Sequence, residues 1–142
     1  DQQEVSIDWQ RMQDHGAIGR FAARVEAMPR RFHGGETAVG AALDFALDQF
    51  AAVPDCGRRI VDMSGDGAEN VGFTIARARS RARDAGVQVN ALAIEGMGRA
   101  ITNFYHNWVI TPDGFVITAQ GHLGYREAIR AKLLRELSRP LS

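Results

Sequence analysis

The 142 residues suffice for one domain with a real core, and 45% hydrophobic and 24% charged residues are ordinary for a globular protein. Seventeen basic residues balance seventeen acidic ones, so nothing in the net charge draws the chain toward nucleic acid or an anionic membrane. A single cysteine, Cys56, excludes an intrachain disulfide and a cysteine metal cage, and no apolar run approaches the roughly 20 residues of a membrane helix.

Glu4 to Trp9 alternates polar and apolar, which predicts a strand solvated on one face. Gln10 to Gly16 reads as a polar loop. Ile18, Phe21, Ala22, Val25 and Met28 then recur at helical spacing until Pro29 stops the helix. Arg30 to Glu36 is a loop, and Thr37 is a good helix N-cap because its hydroxyl can accept from an unpaired first-turn amide. The helix it opens carries an apolar stripe of Val39, Ala42, Leu43, Ala46, Leu47 and Phe50, with Asp44 and Asp48 opposite.

Arg58 to Ser64 predicts a short buried strand, placed centrally in the sheet, and Ser64-Gly65-Asp66-Gly67 breaks it. Asp62 on that strand is expected to be a buried or half-buried carboxylate bonded to backbone amides or a neighbouring arginine. Phe73 to Ala85 follows as a helix whose narrow stripe of Ile75, Ala78, Ala82 and Ala85 can lie close to a sheet. Arg77, Arg79, Arg81 and Arg83 flank the stripe and read as a solvated face. Without interleaved aromatics, a phosphate or nucleic-acid patch is poorly supported there. Gly86 closes that helix. Val87 to Ile94 is a near-continuous apolar strand, Ile101 to Trp108 a short aromatic-rich helix, Pro112-Asp113-Gly114 a turn and Phe115 to Ala119 a strand. On the last helix Tyr125, Ile129, Leu133 and Leu137 recur every four residues.

From Arg58 onward strands and helices alternate. That order predicts an α/β fold: a three-layer, Rossmann-like open sheet, mostly parallel, with helices on both faces. In such sheets ligands bind at the carboxyl ends of the strands. Asp66, between two glycines, can point its carboxylate into an open crevice, and Thr37 offers a hydroxyl on a second loop. Ser64, Glu69 and Asn70 are accessory candidates. Hard cations such as Mg²⁺ take oxygen ligands of these kinds. His15, His33, His106 and His122 have no ligand spacing, and no serine sits in a Gly-x-Ser-x-Gly elbow.

Gly34-Gly35-Glu36-Thr37-Ala38-Val39-Gly40-Ala41-Ala42-Leu43 and Arg59-Ile60-Val61-Asp62-Met63-Ser64-Gly65-Asp66-Gly67-Ala68-Glu69-Asn70 resemble von Willebrand factor A domains. The match is to a proteobacterial family of unknown function with that fold, and it extends over most of the chain. The resemblance implies a metal-ion-dependent adhesion site in which Thr37 matches the loop threonine and Asp66 the loop aspartate. The family's first-strand Asp-x-Ser-x-Ser is absent here. Glu4 to Trp9 would then be an antiparallel edge strand, and the first two strands would precede Asp1. Residues 1–142 are thus expected to form one domain, incomplete at its N-terminus and exported or periplasmic. The expected function is a non-enzymatic protein-binding module with a partial adhesion site. Its protein partner would offer an acidic side chain to Mg²⁺ in the complete domain, and self-association through an exposed sheet edge is a further expectation. The alternative is an α/β enzyme holding a nucleotide or adenosylmethionine at the Asp62–Gly67 turn.

Overall fold

A computed structural model describes residues 3–29, 37–70, 72 and 74–138. The chain divides into two compact units, Asp1–Gly35 and Glu36–Ser142. In the first, helix α1 spans His15–Glu26, three residues earlier than its apolar spacing predicts. Asp14 sets that start: its carboxylate accepts from the Ala17 amide at 2.7 Å. None of the residues of α1 is buried.

Glu4–Trp9 is not a strand. Alternation marks a face but cannot supply a ladder, and local side-chain bonds compete with one. Ser6 Oγ donates to Glu4 Oε1, and Gln10 Nε2 donates to the Asp8 carbonyl. The expected loop at Arg30–Glu36 lies outside the described residues, as does Phe73, the expected start of the third helix.

In the second unit, α2 (Val39–Asp48) leads through a short 3₁₀ turn (Gln49–Ala52) to β1 (Arg59–Gly65). Next come α3 (Ile75–Asp84), β2 (Val87–Glu95), α4 (Ala100–Phe104), a π-helical turn (Tyr105–Val109), β3 (Val116–Gln120) and α5 (Tyr125–Leu137). The three strands are parallel in the order β1-β2-β3, with Val61 beside Val89 and Leu92 beside Ile117. The α/β reading holds: an open parallel sheet with helices on both faces. However, β1 is an outer strand, and the middle strand is β2.

One face of the sheet packs Val61, Val89, Ala91 and Ala93 against Leu43 and Leu47 of α2 and Ala78 and Ala82 of α3. Small residues let α3 lie close, as its stripe predicts, although Ala85 is exposed. The helix stops at Asp84, and Gly86 turns the chain at φ 65°. Arg77 pairs with Asp44 at 2.8 Å, and Arg81 pairs with both Asp44 and Asp48. The acids opposite the apolar stripe of α2 thus bind α2 to α3, through two arginines read from the sequence as part of a solvated face.

The opposite face packs Leu92 and Ala119 against Ala128. There α5 keeps only the first half of its expected stripe, with Tyr125 and Ile129 packed half-buried against this face. It buries Ala128, Lys132 and Glu136 and leaves Leu133 and Leu137 exposed. The cause lies on β2, which reads as apolar but carries Gln88 and Asn90 on this face. Buried amides need partners. Asn90 Nδ2 donates to Glu136 Oε1 at 2.8 Å, and Gln88 Nε2 donates to Asn90 Oδ1 at 2.8 Å. Lys132 Nζ donates to Glu136 at 2.7 Å and to Asp62. The polar side of α5 is therefore drawn inward, and the partner of Asp62 is a lysine on the last helix rather than an arginine or an amide.

Candidate functional site

Thr37, Asp66 and the residues between Ser64 and Asn70 meet at the carboxyl ends of the strands. Thr37 does not cap α2; the N-cap is Ala38, which makes no side-chain cap. Glu69 does that work from a distance. Its Oε1 accepts from the Gly40 amide at 2.8 Å and its Oε2 from the Ile75 amide at 3.3 Å, so one carboxylate serves the first turns of both α2 and α3. Gly40 permits this convergence: a Cβ there would lie 2.4 Å from the Ile75 nitrogen.

Asn70 fixes Thr37 in place. The Thr37 amide donates to Asn70 Oδ1 at 2.8 Å, and the Asn70 amide donates back to the Thr37 carbonyl at 3.0 Å. The Thr37 hydroxyl consequently stands against Gly67, 3.0 Å from where a Cβ would be. Asp66, one residue earlier, is exposed, as is Ser64 near the end of β1. The predicted pair of loops is therefore brought together. Glu69 and Asn70 hold those loops, each engaged with backbone amides.

Two further residues approach Asp66. His122, just after β3, places Nε2 4.0 Å from Asp66 Oδ2, with both side chains largely in water. Tyr105 is buried, and its hydroxyl fills the space over Gly65. Burial and, secondarily, the Asp66 charge push its pKa up to about 12, so the phenol remains neutral. Neither residue had a spacing signal. The usable signal was topological, since the segments after parallel strands converge at one end of the sheet.

The donors available to a hard cation are the Asp66 carboxylate and the Thr37 hydroxyl, with the exposed Ser64, two residues before Asp66, as an accessory. Mg²⁺ asks for about six oxygens in near-octahedral geometry. Among the described residues no three His, Cys, Asp or Glu side chains gather where they could hold a metal ion. The residues present thus fit a cation only in part. Asp62, whose turn the enzyme alternative needs for a cofactor, is bound to Lys132.

Residues 1–141 match the family described as "Protein of unknown function (DUF1194)". The chain belongs to this family. No curated protein matches it. Among solved structures, it is similar to proximal thread matrix protein 1 from the mussel byssus, with a TM-score of 0.62 and 20% identity. The similarity covers 86% of this chain and 31% of that protein, so the chain spans about a third of its structural neighbour. At that identity the likeness establishes the fold, which is von Willebrand factor A-like. Among the described residues no helix is long and apolar enough to cross a membrane.

Proposed function

We propose that this DUF1194 domain is a non-enzymatic protein-binding module. Its ligand surface is the carboxyl end of the sheet, and it carries a partial metal-ion-dependent adhesion site. The observation that supports this reading is the exposed Asp66 carboxylate on the turn after β1, with the Thr37 hydroxyl held beside Gly67 by the Asn70 clasp. Asp66 and Thr37, with Ser64 as an accessory, are the residues that would hold a divalent cation, which would supply a bridge to an acidic side chain of a protein partner.

One carboxylate and two hydroxyls make a weak cation site, with dissociation on the order of millimolar or worse. Calorimetry with Mg²⁺ at micromolar protein should therefore show no heat of binding. Millimolar Mn²⁺, followed by paramagnetic broadening of amide resonances, should broaden the signals of residues 37, 64 and 66 first. Asp66→Ala should abolish that selectivity. Broadening centred elsewhere, or unchanged in Asp66→Ala, would remove the site, and tight Mg²⁺ binding would show a donor set other than this one.

A further inference from the structure

The arginines of α3 are not equivalent. Arg77 and Arg81 are paired with Asp44 and Asp48. Arg79 points the other way: its Nη1 donates to the Asn107 carbonyl at 3.1 Å, and among the described residues no carboxylate pairs with it. Arg83, one turn further on, lies on the same side. It donates to Ser80 Oγ at 3.1 Å and makes a loose, solvent-exposed contact with Asp84 at 3.5 Å. Facing them across a cleft of about 300 Å³ are the Trp108 indole from the π-helical turn and the Pro112 ring. Ala76 and Ser80 complete the lining.

The basic strip of α3 lacked an aromatic neighbour in the sequence, and the fold supplies one from 25 or more positions away. Trp108 leaves 56% of its surface exposed, although indole is among the side chains that gain most from being covered. The cleft combines two guanidinium groups, a hydroxyl and two flat apolar walls, with no acid among its lining residues. Arg79 is half-buried and held by a backbone carbonyl, so one guanidinium is already oriented before a ligand arrives. The volume lies at the lower end of small-ligand sites.

We propose that the cleft between α3 and the π-helical turn binds a small planar anion, an aromatic ring bearing a carboxylate or a phosphate. The ring lies against Trp108 and Pro112, and the anionic group meets Arg79 and Arg83, whose forked donors suit either acid. This site is independent of the Asp66 loops, and its test does not depend on the cation reading above.

The test is indole fluorescence of the Trp9→Phe chain, in which Trp108 is the only tryptophan. Adenosine 5′-monophosphate and 4-hydroxybenzoate serve as phosphate and carboxylate probes, and whichever binds identifies the acid. At least one should quench Trp108 saturably, with dissociation on the order of a millimolar or tighter. Adenosine, phenol and inorganic phosphate, each lacking one half of the chemistry, should bind at least about tenfold more weakly than that probe. Arg79→Gln with Arg83→Gln should weaken the probe by about tenfold or more, while Arg77→Gln leaves it unchanged. Circular dichroism establishes that each variant is folded, and Arg83→Gln alone, at an exposed position, provides a second, milder variant. No saturable quenching by either probe at about 10 mM would overturn the proposal, as would affinity unchanged in the double variant or equal affinity for the uncharged rings.

Discussion

Lys132 is the only lysine of the chain, and its side chain is wholly buried between Asp62 and Glu136. Such a cluster contributes little net stability, but loss of one partner leaves an uncompensated buried charge. Burial is the main reason that the Asp62 pKa is raised from 3.8; the Lys132 ammonium pulls it down, and Glu136 pushes it up. A carboxyl whose folded pKa lies above its unfolded value holds its proton more tightly when folded. Between 3.8 and the raised value, stability therefore falls as pH rises. Glu95 has the opposite sign: the Thr102 amide, at 2.6 Å, holds its pKa below 4.5, so its contribution is lost as pH falls through the folded value. Urea midpoints measured from about pH 4 to about pH 7 on the parent and Asp62→Asn chains separate the two. The variant should lose the decline on the acid side and keep the Glu95 contribution. Parallel profiles would show that Asp62 titrates alike in both states.

At the scale of the elements, carboxylates serve the starts of α1 to α4, whereas α5 begins after Gly124 without a side-chain cap. Asp14 caps α1, Glu95 serves α4 through Thr102, and Glu69 serves α2 and α3 together. Because Glu69 reaches two helices, its removal acts on both. Glu69→Ala should destabilise the unit by about 1–3 kcal/mol, the range for losing one strong or two ordinary caps. It should also accelerate hydrogen exchange at the amides of Gly40 and Ile75. Equilibrium unfolding within about 0.5 kcal/mol of the parent would show that water replaces the carboxylate at both helices.

On the scale of the whole molecule, the sheet has an open side. β1 is bonded to β2 on one edge, and no strand of the described residues lies on the other. Unpaired strand backbone is a template for a further chain. With Glu4–Trp9 not forming a strand, association of copies along β1 is the remaining expectation. Sedimentation should show dimers or larger species at about 100 µM that dissociate on dilution. Ile60→Lys, which places a charge on the half-buried face of β1, should weaken them. A parent chain that stays monomeric at that concentration would refute the expectation.

The sequence by itself determined the α/β order from Arg58 onward, the parallel sense of three strands and the Gly86 stop. Each is a local matter of period, turn chemistry or crossover length. It also put Thr37 and Asp66 on loops at one end of the sheet, because parallel strands send their exits the same way. Only the tertiary structure decided which polar groups are buried. The alternation of Gln88 and Asn90 within an apolar strand was visible, but its consequence required the neighbour: two buried amides turned α5 so that Lys132 and Glu136 face inward and Leu137 outward. Likewise the first turn of α2 is served from Glu69, 29 positions beyond Gly40, and the arginines of α3 gain Trp108 only through folding. Local pattern reports what a segment can bury. Which partner satisfies a buried donor, acceptor or charge depends on residues far along the chain, and there the packed structure rather than the period made the choice.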